Sequence, residues 1–379
     1  MWLPPEINPG GLIMVRVAGV DPGTGSFDVC ILEDGSFIHG ETLPTGEVFR
    51  RPELLVECLV KAGPLDLIAG PSGHGLPLKP LSQAGGSELR LAALVKSRGA
   101  ESVLGLRRVL GKLKSSGLPV VMLPSVKYLP TVPVHRKINR IDLGTADKLC
   151  VAALGIADQA ERLGSPFSKA SFILAELGFA FTALLAVRKG AVIAGLGGTV
   201  GSLGFLSPGG LDGEVAYLLG RVSKKTLIGG GVFHASGLLK PEPEKLASEA
   251  LKGEPQCRAA WEAYMEGLTG NVAYLTATTG KPREILVSGR LSRIEPFFAE
   301  ASRRLERFAP VRRLEGFTGK VKQAAQGAAL LADGLAGGKY EGLIECLRLR
   351  EARGTLLDHV YLEGFSKVKR RMLRGLLRG

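Results

Sequence analysis

From Val15 to Gly40 (VRVAGVDPGTGSFDVCILEDGSFIHG) the apolar positions read as strand, turn and strand. Val15 to Val20 is an apolar strand that ends on a carboxylate, Asp21, and runs into a tight turn of Pro22, Gly23, Thr24, Gly25 and Ser26. A second strand, Phe27 to Leu32, leads into Asp34-Gly35, a strong hairpin signal, and a return strand. Helical spacing then predicts a helix over 52–61, and a short strand over 65–69 enters the loop GPSGHGLPLKP. Residues 87–115 have helical periodicity broken near Gly99 and Gly105, and 119–123 is another strand. A long proline-punctuated loop, PSVKYLPTVPVHRKINRIDLG, precedes a strong helix from Thr145 to Leu163, with Leu149, Cys150, Ala153, Ile156, Ala157, Ala160 and Leu163 on one face. Gly164-Ser165-Pro166 stops that helix and is the expected domain boundary.

The pattern then starts again. With Asp21 aligned on Glu176, the next twenty positions fall into step without a gap: Gly23 meets Gly178, Ile38 meets Ile193, Gly40 meets Gly195, and Asp34-Gly35 lands on Lys189-Gly190. The later order repeats as well. A helix (256–278) precedes a strand (284–287) ending in Ser288-Gly289-Arg290, a helix (293–308) leads to a strand (310–314), and a small-residue helix (319–335) closes the second half. A chance match of two hairpins is the competing account, and agreement of both hairpin and element order favours duplication. The expected units are an extension over 1–13, a first domain over 14–165 and a second over 166–379. The second holds a glycine-rich insertion at about 195–255 and a basic C-terminal helix. Two α/β units facing each other across a cleft would each offer an acid and a phosphate loop.

The chemistry follows from the turn. A carboxylate at a strand end beside exposed backbone N–H groups suits a metal-chelated phosphate: the acid holds the cation or its waters, and the amides and hydroxyls take the oxygens. A ligand-free hairpin needs the same residue types, so one turn alone does not decide. Composition narrows the field. The 379 residues are 45% apolar with a net charge of +13, which fits an anionic partner. Lys367, Lys369, Arg370, Arg371, Arg374 and Arg378 crowd the end of the chain without interleaved aromatics. A solvated helix end is favoured there over a nucleic-acid arm. Cys30, Cys58, Cys150, Cys257 and Cys346 stand far apart with no CxxC, as buried thiols of a reduced cytoplasm. Few asparagines and abundant arginine hint at a thermophile. No membrane span is expected, since 172–187 is interrupted by Glu176 and stopped by Arg188-Lys189. Residues 1–12 do not read as a signal peptide, and Met14 is an alternative start. Gly111-Lys112-Leu113 is not a Walker A loop, Gly195, Gly197 and Gly201 do not complete GxGxxG, and there is no HExxH.

At this point the chain resembles the superfamily of acetate and sugar kinases, Hsp70 chaperones and actin, from Met14 onward. VDPGTGSFDVCILEDG resembles the first phosphate motif, with Asp21 in the place of the metal-organising acid and Gly23, Thr24, Gly25 and Ser26 along the phosphates. AELGFAFTALLAVRKG resembles the second, with Glu176 for the usual Asp, Gly178 in the turn, Phe179 where a small or hydroxylic residue is common, and Thr182 as a later hydroxyl. ILVSGRLSR resembles the adenosine motif, with Ser288, Gly289 and then Arg290 at the usual Gly-Gly pair. The helices from Thr145 and from Gly319 resemble the connecting helices at the hinge, where small side chains let backbones approach. The resemblance implies an α/β fold of two duplicated ribonuclease H-like (actin-like ATPase) domains with a cleft between them, and ATP and Mg²⁺ as cofactors. The run LPTVPVHRKINRIDLGTADK and the loop GPSGHGLP are similar to an archaeal group labelled butyrate-kinase-like. The His-x-x-x-His iron pair of the tRNA-modifying branch is absent from the sequence.

Within that resemblance Asp21 and Glu176 are the expected metal-holding acids. Asp147 has two readings: a base or substrate-orienting acid, as in the similar Gly-x-Asp-basic step of type III pantothenate kinases, or an acid that favours the helix dipole. His135, Arg136, Asn139, Asp142 and Lys148 are candidate substrate contacts, because a long loop of basic and amide groups suits a carboxylate or phosphate. Gly197, Gly198 and Asp212 are candidates from the second glycine-rich segment. The expected activity is ATP- and Mg²⁺-dependent phosphoryl transfer to a small carboxylate or hydroxyl acceptor in the cytoplasm. The alternative is a nucleotide-binding switch or assembly protein with little turnover. Nucleotide and small molecule are the expected partners, with a homodimer compatible and nucleic acid disfavoured.

Overall fold

The computed structural model describes residues 14–94 and 101–374. The expected N-terminal extension, the break near Gly99 and the terminal Arg378 lie outside those residues. The first sheet contains β1 (Arg16–Pro22), β2 (Ser26–Glu33), β3 (Ser36–Pro44), β4 (Leu67–Ala69), β5 (Gly75–Pro80) and β6 (Val120–Pro124), in the order β3-β2-β1-β4-β6-β5. The second contains β7 (Phe172–Leu177), β8 (Thr182–Arg188), β9 (Ala191–Leu196), β10 (Glu284–Ser288) and β11 (Val311–Arg313), in the order β11-β10-β7-β8-β9. Read from the meander, both sheets run third strand, second, first, then two parallel strands. The first sheet adds one antiparallel edge strand, β5. This is the fold class the sequence led us to expect.

The duplication extends to the hydrogen-bond register. Asp21 pairs with Asp28 across β1 and β2, and Glu176 pairs with Ala183 across β7 and β8, which is the ungapped offset seen in the sequence. The β2–β3 ladder shifts register between Ile31 and Leu32, and the β8–β9 ladder shifts at the corresponding Ala186 and Val187. Both hairpins turn through two left-handed residues: Asp34 and Gly35 at φ 47° and 70°, Lys189 and Gly190 at φ 50° and 72°. Such turns match the twist of the flanking strands. The irregularity falls at the same position of the ungapped offset in both hairpins, which extends the match from sequence to backbone.

Two helices lie between the sheets. The first hinge helix, Ala146–Arg162, starts after Thr145 and is buried along most of its length; the second, Gln323–Leu335, is buried at every residue. Their alanine and glycine content has a direct cause. A Cβ at Gly327 would stand 1.8 Å from the Cys150 carbonyl oxygen, so the two helices cross backbone on backbone. A Cβ at Gly19 would stand 2.2 Å from the Ala329 amide nitrogen, so the second hinge helix also lies flat on β1 of the first sheet. The first hinge helix packs on the other sheet, where Gly155 meets Phe172 and Leu286. The central core therefore joins inner faces of both sheets through these helices: Val17, Cys30 and Leu123 on one side, Phe172, Leu174 and Leu286 on the other. The outer faces have their own cores, one with Val20, Phe27 and Leu59 and one with Leu177, Trp261 and Phe297.

Two expectations from the sequence need correction. The loop GPSGHGLPLKP is in part a strand, β5, which pairs antiparallel with β6 at the sheet edge. Pro77 and Pro80 hid it, and an edge is where a strand tolerates residues that cannot donate. The long loop before the first hinge helix holds short helical turns at Val126–Tyr128 and Val134–Lys137. Among the described residues no helix is long and apolar enough to cross a membrane.

Candidate functional site

The carboxyl ends of β1 and β7 face each other across the start of the first hinge helix, and this brings four charged groups together. Asp21 ends β1 with a side chain only 8% exposed. Glu176 ends β7 beside Ser288 of β10. Asp147 and Lys148 occupy the first turn of the helix, after the cap residue Thr145. Lys148 Nζ bridges the gap: it is 2.7 Å from Asp147 Oδ2 and 2.8 Å from Glu176, donating to Oε1. Glu176 Oε2 is also 2.8 Å from that nitrogen, but no donor is aligned on it, so it is a buried oxygen without a hydrogen bond.

The electrostatics separate the three acids. Burial, with the Asp147 and Asp28 charges nearby, pushes the Asp21 carboxyl up to about 7, against the opposing pull of Lys322 and Lys148. Burial also raises Glu176, although Lys148 opposes it. Burial would raise Asp147 too, yet Lys148 and the Thr145 hydroxyl overcome that and hold it below the usual carboxylate range. Lys148 is held charged: its two carboxylates outweigh its own desolvation.

The first turn joins β1 to β2 and is partly occupied by Lys322, from the start of the second hinge helix. Thr24 and Gly25 are exposed, and open space surrounds the position a Cβ at Gly25 would take. The Thr45 hydroxyl donates to the Gly23 carbonyl at 2.8 Å and so fixes the turn. The Ser26 hydroxyl points back to Asp28 at 2.7 Å. Lys322 lies over Gly23, where a Cβ would come within 2.3 Å of its Nζ.

The second turn differs. The Gly178 amide closes on the Phe181 carbonyl at 3.0 Å. The Arg290 guanidinium sits 4.4 Å from the centre of the Phe179 ring, and Gly289, at φ 87°, packs on the Leu177 carbonyl. Thr182 does not supply a hydroxyl to this turn, because it is fully buried and donates to Tyr264 at 3.1 Å. Ser288 Oγ is buried without a partner.

Asp142 joins the site from the side. It is buried, accepts from the Gly144 amide at 3.1 Å, and takes both the amide and the hydroxyl of Thr199 at 3.1 Å. This draws Gly197 and Gly198 onto the start of the hinge helix; a Cβ at Gly197 would overlap Asp142. The remaining predicted substrate contacts go elsewhere. Arg136 donates to the carbonyls of Ile193 at 2.8 Å and Thr278 at 2.7 Å, so it is a strap onto the second half. Asn139 accepts from the Tyr361 amide at 2.7 Å, and its own amide donates to His359. His135 is exposed, and Asp212 is an exposed helix cap accepting from Glu214 and Val215. Arg136→Ala is therefore expected to destabilise the chain by about 1–3 kcal/mol and to leave nucleotide affinity unchanged. Thermal unfolding and a binding isotherm on the same variant check both halves of that statement.

Sequence reading missed His74 and Lys322. His74, in the loop after β4, titrates below its usual value because of burial, with Asp142 and Asp147 pulling the other way and Lys224 adding to the drop. Its neighbours in GPSGHGLP were visible, but nothing in that run says that the Gly73 carbonyl receives the Ala146 amide and so sets the loop against the hinge helix.

A Mg²⁺ ion fits one side of this arrangement. Among the described residues no three or more His, Cys, Asp or Glu side chains are grouped as a metal cage. Yet among the described residues nothing donates a hydrogen bond to the Asp21 carboxylate, and the Lys322 ammonium stands 3.7 Å from it. An under-compensated buried acid beside an open turn suits a cation that keeps its waters and takes phosphate oxygens. Glu176 is less available, since Lys148 is already paired with it.

Solved structures of the same architecture exist. A propionate kinase from Francisella tularensis aligns at 14% identity over 83% of this chain and 99% of its own, with a TM-score of 0.59. Acetate kinases from Entamoeba histolytica (11%, 78% and 86%, TM-score 0.56) and Porphyromonas gingivalis (15%, 83% and 98%, TM-score 0.55) align similarly. These likenesses establish the fold as that of two-domain actin-like ATPases. No curated protein sequence matches the chain. The chain belongs to the family described as a protein of unknown function, DUF1464, whose model it matches over residues 19–362.

Proposed function

We propose that the protein transfers the terminal phosphoryl group of ATP, bound with Mg²⁺, to a small carboxylate or hydroxyl acceptor. The observation that carries this reading is that Lys148 bridges Asp147 and Glu176 at the end of β7, while Asp21 at the end of β1 feels the charges of both Asp147 and Lys148. Phosphoryl transfer needs positioning and charge neutralisation more than covalent help from the protein. The open turn at Gly23–Ser26 would cradle phosphate oxygens, and Asp21 would hold the Mg²⁺ waters; the bound ion would shield the transferring phosphate. Ser288, Gly289 and Arg290 would line the nucleoside end.

Asp147 is held ionised, so it would orient an acceptor better than it would remove a proton. A carboxylate acceptor is already a nucleophile and needs no base, which favours a butyrate- or acetate-like substrate over an alcohol. The fold shared with propionate and acetate kinases supports the same preference. Closure of the halves about the hinge helices would exclude water from the site.

The test is direct. Mg·ATP should bind the purified protein, and a panel of short carboxylates and sugars should reveal one phosphorylated class. Asp147→Asn should lower that transfer by about 100-fold or more while ATP affinity changes far less. Slow hydrolysis with no acceptor labelled would instead favour the nucleotide switch. The Lys148 bridge and the Phe179–Arg290 stack at the second turn are the features that speak for that second reading.

A further inference from the structure

Lys322 stands at the start of the second hinge helix, in sequence nearly three hundred residues from the first turn, yet its ammonium lies in that turn. Nζ donates to the Ser26 carbonyl at 2.9 Å, forms an ion pair with Asp28 Oδ2 at 2.8 Å, and is 3.7 Å from Asp21 Oδ2. Its backbone amide donates to Asp28 Oδ1 at 3.3 Å. Asp28 is only 4% exposed and also accepts from Ser26 and Thr42, so it is a fixed anchor for the lysine. The Lys322 side chain itself is 41% exposed. An ammonium has three N–H groups, and among the described residues this one meets two oxygens at hydrogen-bonding distance, the Ser26 carbonyl and Asp28 Oδ2, which leaves one N–H for a ligand. Gly23 is the residue beneath it, and any side chain there would displace Nζ.

We propose that Lys322 is a phosphate-binding residue: its remaining N–H contacts the β- or γ-phosphate carried by the Gly23–Ser26 turn. This rests on the proposed nucleotide site and adds to it the residue that supplies positive charge on the first-turn side. A polyphosphate between Lys322 and Lys148 would meet a cation from each hinge helix, so its binding is tied to the position of both helices. The buried Asp28 holds the lysine extended before the ligand arrives, which limits the entropy lost on binding. The proposal is for a ligand with at least two linked phosphates, whose β- or γ-phosphate lies at the turn.

The experiment is a set of calorimetric titrations of wild type and Lys322→Met with Mg·ATP, Mg·ADP and AMP. Lys322→Met should weaken Mg·ATP and Mg·ADP by about 10- to 100-fold, the scale of a charge-assisted hydrogen bond, and change AMP less than about twofold. Lys322→Arg should recover part of the loss. Because Lys322→Met leaves Asp28 unpaired, the double variant with Asp28→Asn provides a second folded test, with the same split between ATP and AMP expected. Equal weakening of AMP and ATP would mark a purely structural lysine and overturn the proposal. Undiminished ATP binding in Lys322→Met would overturn it while leaving the nucleotide site standing. A wild-type protein that binds no nucleotide at all would remove the underlying reading and this inference with it.

Discussion

Asp21→Asn is expected to raise the thermal stability of the nucleotide-free protein and to abolish Mg²⁺-dependent ATP binding. The cause is the same for both effects. Asp21 is buried, receives no hydrogen bond from any described residue, and shares its surroundings with Asp147 and Asp28, so its carboxyl is pushed up to about 7. A folded-state value above the unfolded one means that the folded chain retains a proton the unfolded chain has lost. Stability from this group is present below about pH 4 and falls as the pH rises toward about 7. A rise of about three pKa units corresponds to something on the order of 4 kcal/mol, and part of that would be recovered by the neutral amide. At pH 8 the midpoint of unfolding should rise by roughly 3–6 °C, and the difference from wild type should vanish near pH 4. A calorimetric scan at both pH values measures it. The same variant has no charge to hold Mg²⁺ waters, so saturating Mg²⁺ should no longer strengthen ATP binding. A variant that loses Mg²⁺-dependent binding without becoming more stable would show that the carboxylate is well compensated in the free protein. Strain of this kind at functional sites is a familiar trade of stability for activity.

Gly327→Ala should be among the most destabilising single-methyl changes in the chain. The added carbon would meet the Cys150 carbonyl at 1.8 Å and its carbonyl carbon at 2.4 Å, and these are backbone atoms that no rotamer change can clear. The helices would have to separate, opening the core that joins the two sheets. A loss of about 3–5 kcal/mol is expected. Gly111→Ala offers the opposite sign. It lies exposed in the helix Glu101–Ser115 with nothing within 4 Å of the new methyl, so it should stabilise by about 0.5–1 kcal/mol. Urea unfolding of both variants checks the contrast. Equal effects from the two would mean that the hinge crossing relaxes freely.

Why some features were readable and others were not follows from the range of the interactions. The duplicated hairpins were legible because alternation and two-residue turns are local, and the ladders carry the offset through to the bulges at Leu32 and Val187. The two central helices were legible as helices from their periodicity, and as connecting helices from the resemblance, which their small residues suit because small side chains let backbones approach. β5 was not, because its prolines resemble a loop until β6 is beside it. Arg136 and Asn139 illustrate a different limit. A basic or amide side chain in a loop can serve a ligand or a distant carbonyl, and only the fold showed Ile193, Thr278 and Tyr361 in reach. Lys148 was chosen as a substrate contact and proved to be the bridge between Asp147 and Glu176. Lys322 carried no local signal at all, since every group it meets belongs to the opening hairpin.

The second hinge helix lies on β1, and this sets an order of events during synthesis. The first sheet is complete in sequence by Pro124, but the atoms nearest its inner face at Gly19 come from Ala325, Ala328 and Ala329. A nascent chain emerging from the ribosome would hold that apolar face open until residue 335 had cleared the exit tunnel. Loops that close over such separations form slowly, and an exposed sheet face in the interval invites association with other chains. The opening hairpin, made about three hundred residues before the helix that covers it, thus becomes native only after that helix has emerged.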